Sequence, residues 1–317
     1  MKPKSILYIS LLVATTLFSC KKNTSDDLHQ NLDTITENDP DLERKLKYES
    51  ERGINAIGVD SSITNKFLFK ITELQKELNQ KLIKSDTLKA NLLYEDYSKK
   101  LLDNLTDYNF GTSDLLDNYA NYESKDIPEK WKIKIEKLKN HHIELVYEGE
   151  GFYSFQFKYD YFYNTFKGKV TKDLEQFLYN YAEDDKVLFQ ADAGIIVPWK
   201  EIRLRLLRWE KFIKKYPESR YTPMAKELLG FYLKSYVLGM ENTRTFEENT
   251  KEIYPEVLQD FKFVLKENPN TFISEFVKDF IEFYTFAAKE YPTDKFNERL
   301  NIYVDGILQE SLNSHTH

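Results

Sequence analysis

The chain has 317 residues, 41% hydrophobic and 15% aromatic, with 45 basic against 52 acidic side chains and a formal net charge of −7. That apolar content is too high for a wholly disordered chain, and the acidic balance argues against a broad basic surface for nucleic acid. A single cysteine, Cys20, leaves no internal disulfide framework and no cysteine-based metal site to expect.

Lys2 and Lys4 precede a mostly apolar run, Ile6 to Phe18, of 13 residues. A membrane-spanning helix needs roughly 20, so the run has the proportions of a secretory leader. It ends in Leu17, Phe18, Ser19 and Cys20 rather than in small residues. That order resembles the lipobox of bacterial lipoproteins, with Leu17 and Ser19 at preferred positions and a bulkier Phe18 at a tolerant one. The resemblance implies cleavage before Cys20, a diacylglycerol thioether on its sulfur and a further acyl chain on its amino group. Each buried methylene stabilises membrane attachment by ~0.8 kcal/mol, so two or three chains hold where one is marginal. Residues 1–19 are therefore expected to be a signal peptide, and the partner reached through Cys20 is the membrane itself. Lys21 and Lys22 stand where an Asp would resemble an inner-membrane retention signal, which leans toward the outer membrane. Lysine followed by Asp26 and Asp27 also resembles, at looser spacing, the surface-export tags of flavobacterial lipoproteins. Residues 20–60, polar and almost without apolar periodicity, read as the lipidated cysteine and a flexible tether.

Residues 61–197 are expected to form an N-terminal helical region. Phe67, Ile71, Leu74 and Leu78 recur at helical spacing. Ser85-Asp86 restarts the pattern through Leu88, Leu92, Leu93, Leu101 and Leu105, which predicts two antiparallel helices from Ile63 to about Asp107. A polar connector with Gly111 leads to a third helix that begins near Pro128, carries Trp131, Ile135 and Leu138 on one face and ends near Asn140. A small β-hairpin is predicted near 143–158, where Ile143, Leu145 and Tyr147, then Tyr153, Phe155 and Phe157, keep a period of two around Gly149 and Gly151. The same aromatics also suit a helix through Tyr161, Phe162 and Phe166.

Residues 198–312 carry the clearest pattern. Trp199, Ile202, Leu206, Trp209, Ile213 and Tyr216 step by three and four along one helix, and Pro217 stops it. Ser219 or Thr222 is placed to cap a second helix, lined by Tyr221, Ala225, Leu228, Tyr232 and Tyr236 and closed by Gly239. A shift of 52 residues sets Pro217 on Pro269, Ser219 on Thr271 and Phe231-Tyr232 on Phe283-Tyr284, so the unit occurs twice. A last helix runs from Thr293 to about Leu312. The phrase Lys215-Tyr216-Pro217-Glu218-Ser219-Arg220-Tyr221, with Ala225 beyond it, resembles the inter-helix turn of tetratricopeptide-like repeats in outer-membrane lipoproteins. The family's repeat is 34 residues; the longer spacing here comes mostly from an insert, residues 239–255. The expected fold class is mainly α, an irregular tetratricopeptide-like stack of antiparallel helical hairpins whose apolar faces are buried by stacking.

Sites are sparse. None of the five histidines has the spacing of a zinc helix, and His141-His142 point apart, so no metal is expected; nor is any cofactor, since phosphate and dinucleotide loops and a nucleophile elbow are missing from the sequence. Lys200, Arg203, Arg205, Arg208, Lys211, Lys214 and Lys215 surround one helix and read first as the solvated side opposite the Trp199 stripe. Their functional reading is contact with an acidic partner or with lipid headgroups; for a protein partner the residues singled out are Arg203 and Arg208, with Glu241, Asn242 and Thr243 on the insert as rim contacts. The expected function is a non-catalytic protein-interaction scaffold on the cell envelope. The rival is a carbohydrate-binding or glycan-processing lipoprotein built on Glu148, Glu150 and the nine aromatics from Phe152 to Phe166.

Overall fold

A computed structural model of the chain describes residues 63–122 and 126–314. Cys20 and the leader and tether expected over residues 1–60 lie outside the described residues. Within them the protein is mainly helical, with eleven helices and three small antiparallel two-stranded ribbons, the hairpin stack expected from the sequence.

Helix α1 (63–82) turns at 83–86 into α2 (Thr87–Gly111). Asp86 makes that turn work: its carboxylate accepts the Lys89 N–H at 2.8 Å and satisfies one of the orphan donors of the new helix. The pair is antiparallel, because Thr64 at the start of α1 hydrogen-bonds the Tyr108 hydroxyl near the end of α2 and the Phe67 ring stacks on Tyr108 at 4.2 Å. The buried stripe of α2 is Ala90, Tyr94, Tyr97, Leu101, Leu105 and Tyr108. Leu88 and Leu92, expected to join it, point outward, because the larger tyrosine rings fill the face toward α5 with edge-on contacts such as Tyr94 to Phe166.

The connector around Gly111 contains a short helix, α3 (Ser113–Tyr119), and α4 (Glu129–Lys139) follows Pro128, burying Trp131 and Leu138. The predicted hairpin is present: β1 (Ile143–Gly149) pairs with β2 (Phe152–Phe157), with Ile143 opposite Phe157, Leu145 opposite Phe155 and Tyr147 opposite Tyr153. Gly149 has φ +110°, and a Cβ there would lie 2.6 Å from the Asp192 nitrogen, so only glycine allows this ribbon to close against the next one. Helix α5 (Tyr159–Phe166) continues the aromatic run, and α6 (Lys172–Asp184), which the sequence pattern did not single out, packs back on it.

Ribbon β3–β4 (Gln190–Ala191 with Gly194–Ile195) leads into α7 (Trp199–Lys215) and α8 (Thr222–Leu238). Their antiparallel packing brings the Trp199 indole N–H to the Tyr236 carbonyl at 3.1 Å. The insert forms ribbon β5–β6 (Gly239–Met240 with Thr243–Arg244). The second copy of the unit is α9 (Pro255–Glu267) and α10 (Phe272–Glu290), and α11 (Thr293–Ser314) covers α8 and α10. The two copies differ at the predicted caps. Thr271 caps α10 through the Ser274 N–H at 3.2 Å, whereas Ser219 accepts from Tyr221 within an extra turn and Thr222 donates to the Tyr216 carbonyl. One apolar core runs from Phe67 to Leu308, and contacts such as Phe177 against Trp209 carry it across the expected boundary at residue 198.

Candidate functional site

Helix α7 is the hub of the C-terminal half. Its stripe of Ile202, Leu206, Trp209 and Ile213 is buried as expected, but α6, α8, α9 and α10 all pack against it, so little of its circumference is left to water. The arginines expected on a solvated side lie in that packing. Arg205 is 1% exposed: its Nε donates to Glu201 at 3.2 Å, one Nη to the Tyr232 hydroxyl at 3.4 Å and the other to the Val187 carbonyl at 2.7 Å. Arg203 is buried as well, donating from Nε to Asp260 at 3.0 Å, with its guanidinium 4.0 Å from the centre of the Phe263 ring.

Three buried carboxylates complete this seam. Asp184, at the end of α6, accepts from Arg208, from the Trp209 indole at 2.7 Å and from the Tyr232 hydroxyl at 3.1 Å. Burial pushes its pKa above the ordinary carboxylate range, against the opposing pull of Trp209, Arg208, Arg205 and Tyr232. Asp260 on α9 accepts from Arg203 and from the Tyr236 hydroxyl at 2.5 Å. Glu210 on α7 accepts the Phe272 N–H at 2.9 Å and the Ile273 N–H at 3.4 Å, closing the N-terminus of α10, and holds Lys214 at 2.5 Å. Burial, and then the adjacent carboxylates, push the phenols of Tyr232 and Tyr236 upward and keep them as donors.

These bonds give the residues expected as partner contacts a structural role. Arg203 is not a surface residue, and the Arg208 guanidinium is engaged by Asp184. Both hold helices together. Asn242 and Thr243 are fasteners too: the Asn242 side chain donates to the Asp192 carbonyl at 2.5 Å, its N–H to Ala193 at 3.1 Å, and the Thr243 hydroxyl accepts from the Ile195 N–H at 3.0 Å. Glu241, at the tip of the same turn, is exposed. What α7 leaves to solvent is a narrower stripe of Lys200, Leu204, Lys211, Lys214 and Lys215, with the half-exposed Phe263 of α9 alongside Arg203.

The residues of the rival glycan reading are divided between surface and core, with Phe152 59% exposed. Glu148 accepts from Ser154 at 2.5 Å and from Gln156 at 2.6 Å on the exposed face of the β1–β2 ribbon, whereas Glu150 sits in the turn with φ 50°. Phe155, Phe157, Tyr161, Phe162 and Phe166 are core residues. Among the described residues, no three His, Cys, Asp or Glu side chains converge on a place that could hold a metal ion.

Reasoning from sequence missed Asp184, Glu210 and Asp260. A signal for two of them was present. Tyr232 and Tyr236 sit in the apolar stripe of α8, and a buried phenol needs an acceptor, so polar partners for both had to come from neighbouring elements.

No protein-family model, curated protein or solved structure matches the chain, so its functional reading stands on the arrangement of its own residues.

Proposed function

We propose that the protein is a lipid-anchored outer-membrane scaffold that binds another protein without catalysis, through the open face of its C-terminal helical hairpins. One observation carries the reading: the ionisable groups buried around α7 are consumed by one another, which leaves Lys200, Leu204 and Lys211, beside Phe263, as an uncommitted surface in an acidic chain. An apolar centre flanked by lysines suits a partner with an acidic, partly apolar face, and aromatic anchors such as Phe263 are typical of interface centres.

The test is a photo-crosslinking amino acid at Leu204 in the full chain in living cells, with the exposed Ile302 of α11 as control. A discrete protein adduct from position 204, missing at 302 and lost in Leu204→Glu/Lys211→Glu, is the expected result. Equal, diffuse labelling at both sites removes the scaffold reading. Mass spectrometry of the mature N-terminal peptide tests the anchor separately: acylated Cys20 is expected, and a free thiol or an intact leader overturns it.

A further inference from the structure

The corner between α1 and α2 presents apolar side chains that the packing of the described residues does not use. Ile83 is 84% exposed, Leu88 70% and Leu92 59%. They share the corner with Lys81, Lys84 and Lys89, and three lysines together with Leu92 and Leu93 line a shallow groove of about 560 Å³ there. The local acids are committed: Glu77 is bonded to Lys81 at 2.5 Å, and Asp86 caps α2. Lys84 and Lys89 have no carboxylate partner among the described residues. In a chain with a net charge of −7, the corner is a local reversal of sign around an apolar tip.

We propose that this corner rests on the surface of an anionic bilayer, with Ile83, Leu88 and Leu92 among the upper acyl chains and Lys84 and Lys89 reaching back to lipid phosphates, beside the Lys81–Glu77 pair. The inference builds on the lipid anchor proposed above. Apolar tips framed by long cationic side chains suit the interface, because the lysine stems lie along apolar surface while the ammonium groups stay with the headgroups. Anionic leaflets also attract each nearby lysine in their own right. The geometry is compatible with the anchor. Residues before 63 join α1 at the end away from the corner, a rise of about 30 Å, and the 42 residues between Cys20 and Ile63 exceed that rise several times over at the ~3.3 Å per residue limit of an extended chain. Seating the corner on the membrane gives the anchored body a second point of attachment and so a fixed orientation. Two other occupants, a second copy of the chain or the residues before 63, would cover the same side chains without any lipid.

The experiment uses the full lipidated chain in vesicles of equimolar phosphatidylethanolamine and phosphatidylglycerol. Leu88→Cys carries an environment-sensitive dye, and Ile302→Cys is the control; the native Cys20 is blocked by its own acylation. The expected result is that acyl-chain bromination quenches the dye at 88 and leaves that at 302 unchanged. Lys81→Glu/Lys84→Glu/Lys89→Glu should return the dye at 88 to water, with at least a tenfold loss of quenching, while the chain still sediments with the vesicles. Vesicles of phosphatidylcholine alone should do the same. A dye at 88 that stays wet in the anchored chain overturns the proposal and leaves the anchor standing. Equal shelter without vesicles overturns it in favour of self-association if dilution removes the shelter, and of the N-terminal residues if it does not. Failure of the anchor appears separately, in the mass of the N-terminal peptide.

Discussion

Asp184 shows how much one side chain decides. It terminates α6 and receives hydrogen bonds from a guanidinium, an indole and a phenol, two of them from α7 and one from α8. Removing one partner of a buried ion pair is worse than removing both, because the survivor is left desolvated and alone. Asp184→Ala strands Arg208, and with Arg205 close by it is expected to cost about 3–5 kcal/mol, read as a large fall in the denaturant midpoint. Asp184→Asn retains an acceptor and should cost less. A shift for Asp184→Ala no larger than that of a surface change such as Asp305→Ala would contradict the role assigned here. None of this was visible in the charge pattern. The sequence presents Arg203, Arg205 and Arg208 as alternating charges opposite an apolar stripe, and the same pattern serves a solvated face or a seam wedged between helices. Only the number of helices packed around α7 separates the two.

Among the elements, α10 depends on a cap from its own chain segment and on another from a distant one. Thr271 accepts the Ser274 amide, and Glu210, 62 residues earlier, accepts those of Phe272 and Ile273. A carboxylate at a helix N-terminus also meets the positive end of the helix dipole. Thr271→Ala should cost about 1 kcal/mol, and Glu210→Gln about 1–2 kcal/mol. Because both act on one helix end, the double variant should depart from additivity, which a double-mutant cycle in urea measures directly. The local cap was legible from the alignment of Thr271 with Ser219, whereas the long-range one was not, because nothing in the vicinity of Glu210 marks which distant amides it faces. The same contrast holds elsewhere. Alternation around two glycines foretold the β1–β2 ribbon, and periodicity foretold α7 to α11. Leucine spacing draws the stripe of α2 through Leu88 and Leu92, whereas the larger tyrosines fill the core and leave both leucines exposed. The insert's ribbon, β5–β6, escaped notice because two-residue strands leave almost no pattern.

At the scale of the whole molecule, tyrosine is the unusual structural material. Tyr94, Tyr97, Tyr159, Tyr181, Tyr221 and Tyr284 all have their phenol pKa pushed above its ordinary value, first of all by burial, as do Tyr232 and Tyr236. A phenol raised in the folded state contributes stability that is complete below the unfolded value of about 10 and is lost as pH climbs past it. The protein should hold its circular dichroism up to about pH 10 and then unfold cooperatively, with the main phenolate absorbance step coinciding with the loss of helix. A phenolate step completed while the helix signal is intact would refute this. The candidate surfaces were the least legible part of the chain. An exposed leucine and a buried one have the same letter, so Leu204 and Leu88 became informative only once their neighbours were placed.

The position of α7 in the chain also sets a timetable for assembly. Arg203 needs an acceptor 57 residues downstream, and Glu210 needs amide donors that follow it by 62 and 63. A nascent polypeptide halted before Pro255 therefore holds its central helix with neither Asp260 nor the start of α10 to answer it, and those charges stay in water. The final latch around α7 therefore waits for the last quarter of synthesis.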